Sequence, residues 1–273
     1  MKRTKAIRRT IFSIGAVLAA LYAFPFFLVL LNSFKEKRAI RNDPISFPEI
    51  WKIENYEKAI ERMDYWVALV NSILITISSV VAIIIASSML AYYLARSTNK
   101  FSGITFLILV ASMIVPFQAL MLPFVGLFGP LVAVAAQPAL VFFYVGFGVA
   151  MSTFLYHGFI KNIPTELDEA AAIDGASTFS TFRRIIFPML SPVTATVAII
   201  NALWIWNDFL LPRLVLVEDQ RTLPLRTYVF YGTYTSDYGL AMAGLVISML
   251  PIIGFYFLMQ KQIISGVSAG AVK

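Results

Sequence analysis

Long runs without a charged residue are the feature that most constrains this chain. The first, 11–31, holds 21 residues without Asp, Glu, Lys or Arg. At ~1.5 Å per residue it crosses a hydrocarbon core of ~30 Å as a helix. Residues 66–95 and 101–160 form uncharged runs of 30 and 60 residues, and two more cover 185–207 and 239–260. The pattern indicates a chain that crosses a membrane several times.

The 60-residue run is too long for one span. Gly126, Gly129 and Pro130 lie near its middle and signal a turn, so we expect two spans there. The sequence therefore predicts an all-α polytopic membrane protein with six transmembrane helices in a single domain, 1–273. The expected spans are about 11–31, 66–95, 104–125, 136–158, 187–211 and 239–260.

Composition excludes most other classes. The chain is 59% hydrophobic and 14% charged, whereas soluble domains average ~25% charged residues. It has no Cys and one His, His157, which leaves little material for thiol, metal or acid–base chemistry. We expect no metal site, no cofactor and no catalytic residue in this chain. The net charge of +7 comes mainly from residues that flank the apolar spans, where we expect contact with lipid and no nucleic acid.

Basic residues predict the orientation. Five of them precede residue 11, which favours a cytoplasmic N-terminus, and six spans return the C-terminus to the same side. A cleaved signal peptide is the alternative for the first run, but its apolar stretch is longer than the ~7–15 residues usual for one. Four basic residues near the membrane count against this orientation, because they fall in the first external loop: Lys35, Lys37, Arg38 and Arg41.

The cytoplasmic loop 159–186 carries the clearest functional signal. Thr165 and Asp168 have the spacing of a capping box, and we expect a short helix from 166 to 174 that ends at Gly175. Small side chains at its centre and acidic ones around them suit a groove on another protein. A helix that lies on the bilayer surface is the alternative, although three adjacent Ala make a poor lipid anchor.

A spaced motif runs through this loop. It consists of Glu169, Ala170, Ala171, Gly175, Ile185 and Pro188. The spacing resembles the coupling-loop signature of inner-membrane permeases of binding-protein-dependent ABC importers, with a departure at Phe187, where that family commonly has Leu. Four further segments resemble the carbohydrate, maltose-type branch of the family. They are 54–56, 91–96, 206–210 and 266–273.

The resemblance implies a type I ABC importer permease fold in a bacterial or archaeal cell membrane. It also implies a second permease subunit, two ATP-binding subunits and an extracytoplasmic sugar-binding protein as partners. ATP and Mg would be bound by the ATP-binding subunits, and this chain has no phosphate-binding G-x-x-x-x-G-K-[ST] motif. Residues Gly266, Ala269 and Gly270 would contact the ATP-binding subunits, in an extended tail that glycine permits to approach another backbone.

Residues for a translocation path are less clear from the sequence. Gln118, Asn207 and Asp208 are polar groups in or near apolar spans, which makes them candidates. Gln118 can instead bridge two helices, and Asp208 can form a structural pair with Arg213. An ion-gradient-driven secondary transporter is the alternative function. Such carriers usually have carboxylates or broken helices near the bilayer midplane, whereas the spans here have no midplane carboxylate.

Overall fold

A computed structural model gives the fold. It describes the backbone of residues 2–230 and 237–271, and the side chains of residues 9–230 and 237–260. All regular structure in these ranges is helical, which confirms the predicted all-α class. Five helices are long and apolar enough to cross a membrane, and a sixth span is complete if one bent pair of helices counts as a single span.

The helices α1 to α7 include the first four predicted spans. Their bounds are α1 Lys2–Asn32, α2 Lys37–Asn42, α3 Glu54–Arg62, α4 Tyr65–Arg96, α5 Lys100–Ser112, α6 Phe117–Val134 and α7 Ala136–Ile160. The helices α8 to α14 include the loop 159–186 and the last two predicted spans. Their bounds are α8 Glu166–Ile173, α9 Thr178–Thr181, α10 Phe187–Met189, α11 Ser191–Asn207, α12 Leu210–Val215, α13 Leu223–Arg226 and α14 Tyr238–Ala271. A π-helical turn, Phe182–Ile186, joins α9 to α10.

The predicted third span, 104–125, differs from the structure. The chain turns between α5 and α6 at 113–116, whereas the expected turn residues Gly126, Gly129 and Pro130 lie inside α6. Pro116 has extended backbone angles and caps α6, and a proline disfavours helical geometry at the residue before it. In apolar surroundings a turn at the glycines would leave backbone groups without partners, so a continuous helix is favoured there.

The predicted fifth span, 187–211, is a bent element. The segment Thr178–Met189 and α11 meet at an angle of 78°. The bend falls at Leu190, between them. Helix α11 ends at Asn207, and Asp208 has extended backbone angles. The loop helices are therefore continuous with the start of this span but are turned sharply away from its axis.

The chain divides into two compact units. The first comprises Met1–Trp66 and Leu225–Pro251. In this unit the Tyr65 hydroxyl donates to the Ile247 carbonyl at 3.2 Å, and Arg226 lies 3.2 Å from the Asp64 carboxylate. These contacts join residues at the start of α4 to α13 and α14.

The second unit comprises Val67–Pro224 and Ile252–Lys273. Buried polar side chains join its helices: the Asn201 amide donates to the Ser152 hydroxyl at 3.0 Å, and the Tyr156 hydroxyl lies 3.0 Å from the Thr194 hydroxyl. Both pairs link α7 to α11. Interhelical hydrogen bonds of this kind hold membrane helices together where no hydrophobic force between helices is available.

We predict that Gly239→Ala destabilises the first unit. A Cβ atom at this position would lie 2.5 Å from the Lys35 carbonyl oxygen, and a backbone group cannot move aside as a flexible side chain can. The expected cost is about 1–3 kcal/mol, measured as a lower thermal unfolding midpoint in detergent. Gly254→Ala, in the same helix, is the control, because a Cβ there meets nothing within 4 Å. Equal midpoints for the two variants would contradict the prediction.

Candidate functional site

The short helix predicted in the loop 159–186 is present as α8, and Gly175 ends it. Gly175 has φ +79°, a left-handed conformation that side chains other than glycine's strain. Its N–H donates to the Ala172 carbonyl at 3.0 Å, and the Ala176 N–H donates to the Ala171 carbonyl at 2.9 Å. These two bonds form a Schellman motif, so the glycine has a defined role in reversing the chain.

The capping box expected from Thr165 and Asp168 is not formed. Thr165 has helical backbone angles and makes no side-chain cap hydrogen bond. The Asp168 carboxylate instead accepts a short hydrogen bond from the Tyr92 hydroxyl. Its second oxygen lies 2.9 Å from Arg96 Nη2. Asp168 therefore binds the end of α4, and the local capping contact is replaced by a contact between distant parts of the chain.

We call Tyr92, Arg96 and Asp168 the loop clamp. Arg96 also donates to the Ile163 carbonyl at 3.1 Å. Its guanidinium therefore binds both α8 and the segment that precedes it. The Arg96 and Asp168 side chains are only 17% and 21% exposed, which makes their attraction less screened than that of a surface pair. The Phe182 ring, in the π-helical turn, packs 5.4 Å from the Tyr92 ring. The clamp thus fixes both ends of the loop to α4.

The exposed side of α8 differs in part from the predicted one. Glu169 and Ala170 are exposed, as a surface for a partner requires, but Ala171 is only 4% exposed and faces its own chain. The Ala171 side chain therefore packs against its own chain, and its part in the coupling contact stays a prediction. The physical reason is helical periodicity, because Ala171 lies 100° from Ala170 around the helix axis.

Two apolar residues that the sequence reading missed complete this surface. Ile173 is 87% exposed and Phe179 is 58% exposed. Glu166, Glu169, Ala170 and Ile173 follow i, i+3, i+4, i+7 spacing and so share one helix face, which we call the outer face of α8. A large apolar residue two positions before the Gly175 cap was the available signal for Ile173. Both side chains are exposed in this chain alone and are available for contact with another protein.

The remaining motif residues connect the loop to the membrane helix. Ile185 is half-buried in the π-helical turn, and Pro188 is exposed in α10. Phe187, which departs from the family pattern, packs its ring 5.8 Å from that of Phe182. Phe182 therefore joins the end of the loop to α4 through Tyr92 and to α10 through Phe187.

The three candidate path residues have separate surroundings. Gln118 is exposed near the start of α6, and the Asn207 amide donates to the Leu203 carbonyl of its own helix at 2.7 Å. Asp208 accepts from the Tyr144 hydroxyl at 3.0 Å and from the Leu210 N–H at 3.1 Å. Among the described ion pairs none joins Asp208 to Arg213, the partner considered from the sequence. Asp208 instead caps the start of α12 and ties it to α7.

The predicted C-terminal contact residues, Gly266, Ala269 and Gly270, lie in a segment whose side chains are outside the described residues. The backbone there continues α14 to Ala271, where an extended tail was expected. Their contact with ATP-binding subunits stays a prediction.

The chain matches a known protein family and is similar to known permeases. The family described as "Binding-protein-dependent transport system inner membrane component" matches residues 83–268. The chain is 43% identical to the probable starch degradation products transport system permease protein AmyC of Thermoanaerobacterium thermosulfurigenes, over 95% of both chains. It is 38% identical to the multiple sugar-binding transport system permease protein MsmG of Streptococcus mutans, over 96% of this chain and 94% of that one.

A solved structure shows the same fold. A bacterial ABC transporter involved in the import of the acidic polysaccharide alginate aligns with a TM-score of 0.77 and 20% identity, over 95% of this chain and 96% of that chain. At this identity the likeness establishes the fold, which is that of a type I importer permease.

We predict that Asp168→Asn and Arg96→Gln each loosen α8. Either change removes a charge-assisted contact worth about 1.5–3 kcal/mol, so amide hydrogen exchange across 166–173 should become faster. The double variant should be no looser than the worse single one, because the two residues act on the same contact. Asp174→Asn is the control, since this exposed carboxylate lies outside the ion pairs of the described residues. Unchanged exchange in both single variants would contradict the role of the clamp.

Proposed function

Because this chain belongs to the family of binding-protein-dependent transport system inner membrane components and is the permease subunit of an ABC importer, we propose that its substrate is a sugar or oligosaccharide. The observation that carries the proposal is the 43% identity to a permease named for starch degradation products, over 95% of the chain. The names of other relatives, such as the multiple sugar-binding permease, support the same substrate class. The secondary-transporter alternative loses its basis, because family membership assigns the energy source to ATP.

The partners follow from the family and from what the chain lacks. We propose a second permease subunit, two ATP-binding subunits and an extracytoplasmic sugar-binding protein. The sequence has no phosphate-binding loop of its own, so the energy of ATP hydrolysis must reach it through a contact. The chain is a multi-pass inner-membrane protein, and we propose that both its termini are cytoplasmic, which places α8 on the side where ATP is available.

The outer face of α8 supports a coupling role. Glu169 offers a carboxylate for a charge-assisted contact, and Ile173 offers an apolar side chain that is 87% exposed in this chain alone. Burial of such a side chain against a partner is worth roughly 1.5–3 kcal/mol. Closure of two ATP-binding subunits would move α8, and the loop clamp would transmit that displacement to α4. The path through Phe182 would carry it to α11.

The substrate class can be tested directly. We expect the intact importer, purified with its binding protein, to release a saccharide when the binding protein is denatured, identified by mass spectrometry. Binding of that saccharide should stimulate ATP hydrolysis in vesicles that contain the whole importer. An amino acid, peptide or metal ion as the released ligand would contradict the proposal but leave family membership intact.

The coupling role gives a separate prediction. Glu169→Lys reverses the charge on the outer face of α8, and Gly175→Asp adds a side chain at φ +79°. Loss of a contact of about 1.5–3 kcal/mol weakens the interaction with the ATP-binding subunits about tenfold to hundredfold. Uptake into vesicles should fall accordingly, with ATP hydrolysis lost or no longer dependent on the binding protein.

The control for these variants is Lys161→Gln, an exposed position in the same loop outside the outer face of α8. All three variants should insert in the membrane, because none of these positions lies in a spanning run. Wild-type uptake and ATP hydrolysis in the Glu169→Lys, Gly175→Asp double variant would remove this loop from the coupling path.

A further inference from the structure

The loop that follows α1 turns back alongside the end of that helix. The Asn32 amide donates to the Pro44 carbonyl at 3.0 Å, and the buried Lys35 ammonium donates to the Asp43 carbonyl at 3.1 Å. The Phe47 ring lies edge-on to the Phe27 ring, with centroids 6.4 Å apart. Phe27 is five residues before the end of α1 at Asn32, or about 7.5 Å along the helix axis. Phe47 therefore lies level with the last turns of α1.

Large apolar side chains of this loop are exposed at that level. Five of them are between 56% and 69% exposed: Ile45, Phe47, Ile50, Trp51 and Ile53. The neighbouring surface of α1 is also apolar, and most of its large apolar side chains, Phe26 and Phe27 among them, are exposed. The Phe27–Phe47 contact makes the two surfaces continuous. Such a patch cannot face water without cost.

Basic side chains lie directly beside the patch. Lys37, Arg38 and Arg41 are exposed in α2 and take part in none of the ion pairs found among the described residues. Glu36 is paired mainly with Lys52, at 2.8 Å. The hydrogen bond from Lys52 lowers the pKa of the Glu36 carboxyl, and the charge of Arg38 contributes less. The Asp43 carboxylate accepts hydrogen bonds from the backbone N–H groups of Ile45 and Ser46, so its partners lie within its own turn.

We propose that residues 37–53 form an interfacial segment that binds anionic phospholipid. Its apolar side chains enter the bilayer surface beside α1, and the basic side chains of α2 contact lipid phosphates. Tryptophan and aromatic residues favour this depth, and apolar burial combined with basic contacts is the usual basis of interfacial binding. A protein partner fits less well, because the exposed apolar side chains continue the apolar surface of α1 and basic side chains lie beside them, an arrangement that matches acyl chains below phosphate headgroups. The segment also gives a function to the basic residues that count against the predicted orientation.

Fluorescence quenching tests the membrane contact. The chain has no Cys, so a single Ile50→Cys variant can carry an environment-sensitive dye in the full chain, co-expressed with its partner subunits and placed in phosphatidylcholine vesicles. Lipids that carry a nitroxide on the acyl chain near the headgroup should quench this dye at least about twofold more than a dye at Glu57→Cys. Glu57 is the matched control because it is exposed on α3, outside the patch.

The basic side chains are tested by changing the lipid. Adding about one part phosphatidylglycerol to three parts phosphatidylcholine should increase quenching at position 50. Replacing Lys37, Arg38 and Arg41 together by Gln should abolish that increase but leave quenching in pure phosphatidylcholine. Lys58→Gln, on α3, should keep the increase. No increase in any chain, or the same increase in the triple variant, would overturn the phosphate contact.

Addition of the extracytoplasmic binding protein distinguishes the competing partner. A dye at position 50 that stays in water in vesicles and becomes shielded only when the binding protein is added would overturn the proposal in favour of a docking surface for that protein. A dye that stays in water under both conditions would overturn it as well. These readouts do not measure transport, so they are independent of the proposed substrate.

Discussion

The placement of α8 depends on the contacts of one half-buried carboxylate, that of Asp168. It accepts a hydrogen bond from Tyr92, and it lies 2.9 Å from the Arg96 guanidinium. Removing a carboxylate from water is costly unless charged and hydrogen-bonding partners replace the water. The position of α8 is therefore set by the end of α4 and not by its own short length, because an isolated eight-residue helix is unstable in water. Its outer face is presented in a fixed direction as a result.

The bend at Leu190 sets the direction of the loop helices relative to α11. A straight helix across this junction would place the loop on the axis of α11, whereas the 78° angle lays it to one side. The π-helical turn before the bend contains Phe182, whose ring contacts both Tyr92 and Phe187. π-helical turns occur frequently at functional sites. Here the turn lies where a displacement of α8 would reach both α4 and α11.

Polar contacts in the apolar spans join helices to one another. Asn201 binds Ser152 between α11 and α7, and Tyr144 binds Asp208 at the start of α12. Each contact satisfies groups that lipid cannot, and each fixes one helix against another. The Trp204 ring packs edge-on at 5.4 Å from the Tyr144 ring, so Asp208 lies in an ordered cluster of side chains. A carboxylate with these partners is held in place by the fold, which is a different situation from a free carboxylate in a carrier's midplane.

The sequence by itself determined the features that depend on local chemistry. Uncharged runs require helices, because lipid offers no partners to the backbone, and Gly175 ends α8 because a left-handed residue is needed there. The spaced motif from Glu169 to Pro188 indicated the family, which the comparisons confirmed. Tertiary structure decided what depends on distant neighbours. Asp168 does not form the expected capping contact, because it binds Tyr92, 76 residues earlier. Ala171 is buried against its own chain. The chain breaks at Pro116 and not at the glycines of α6, because a proline disfavours helical geometry at the residue before it.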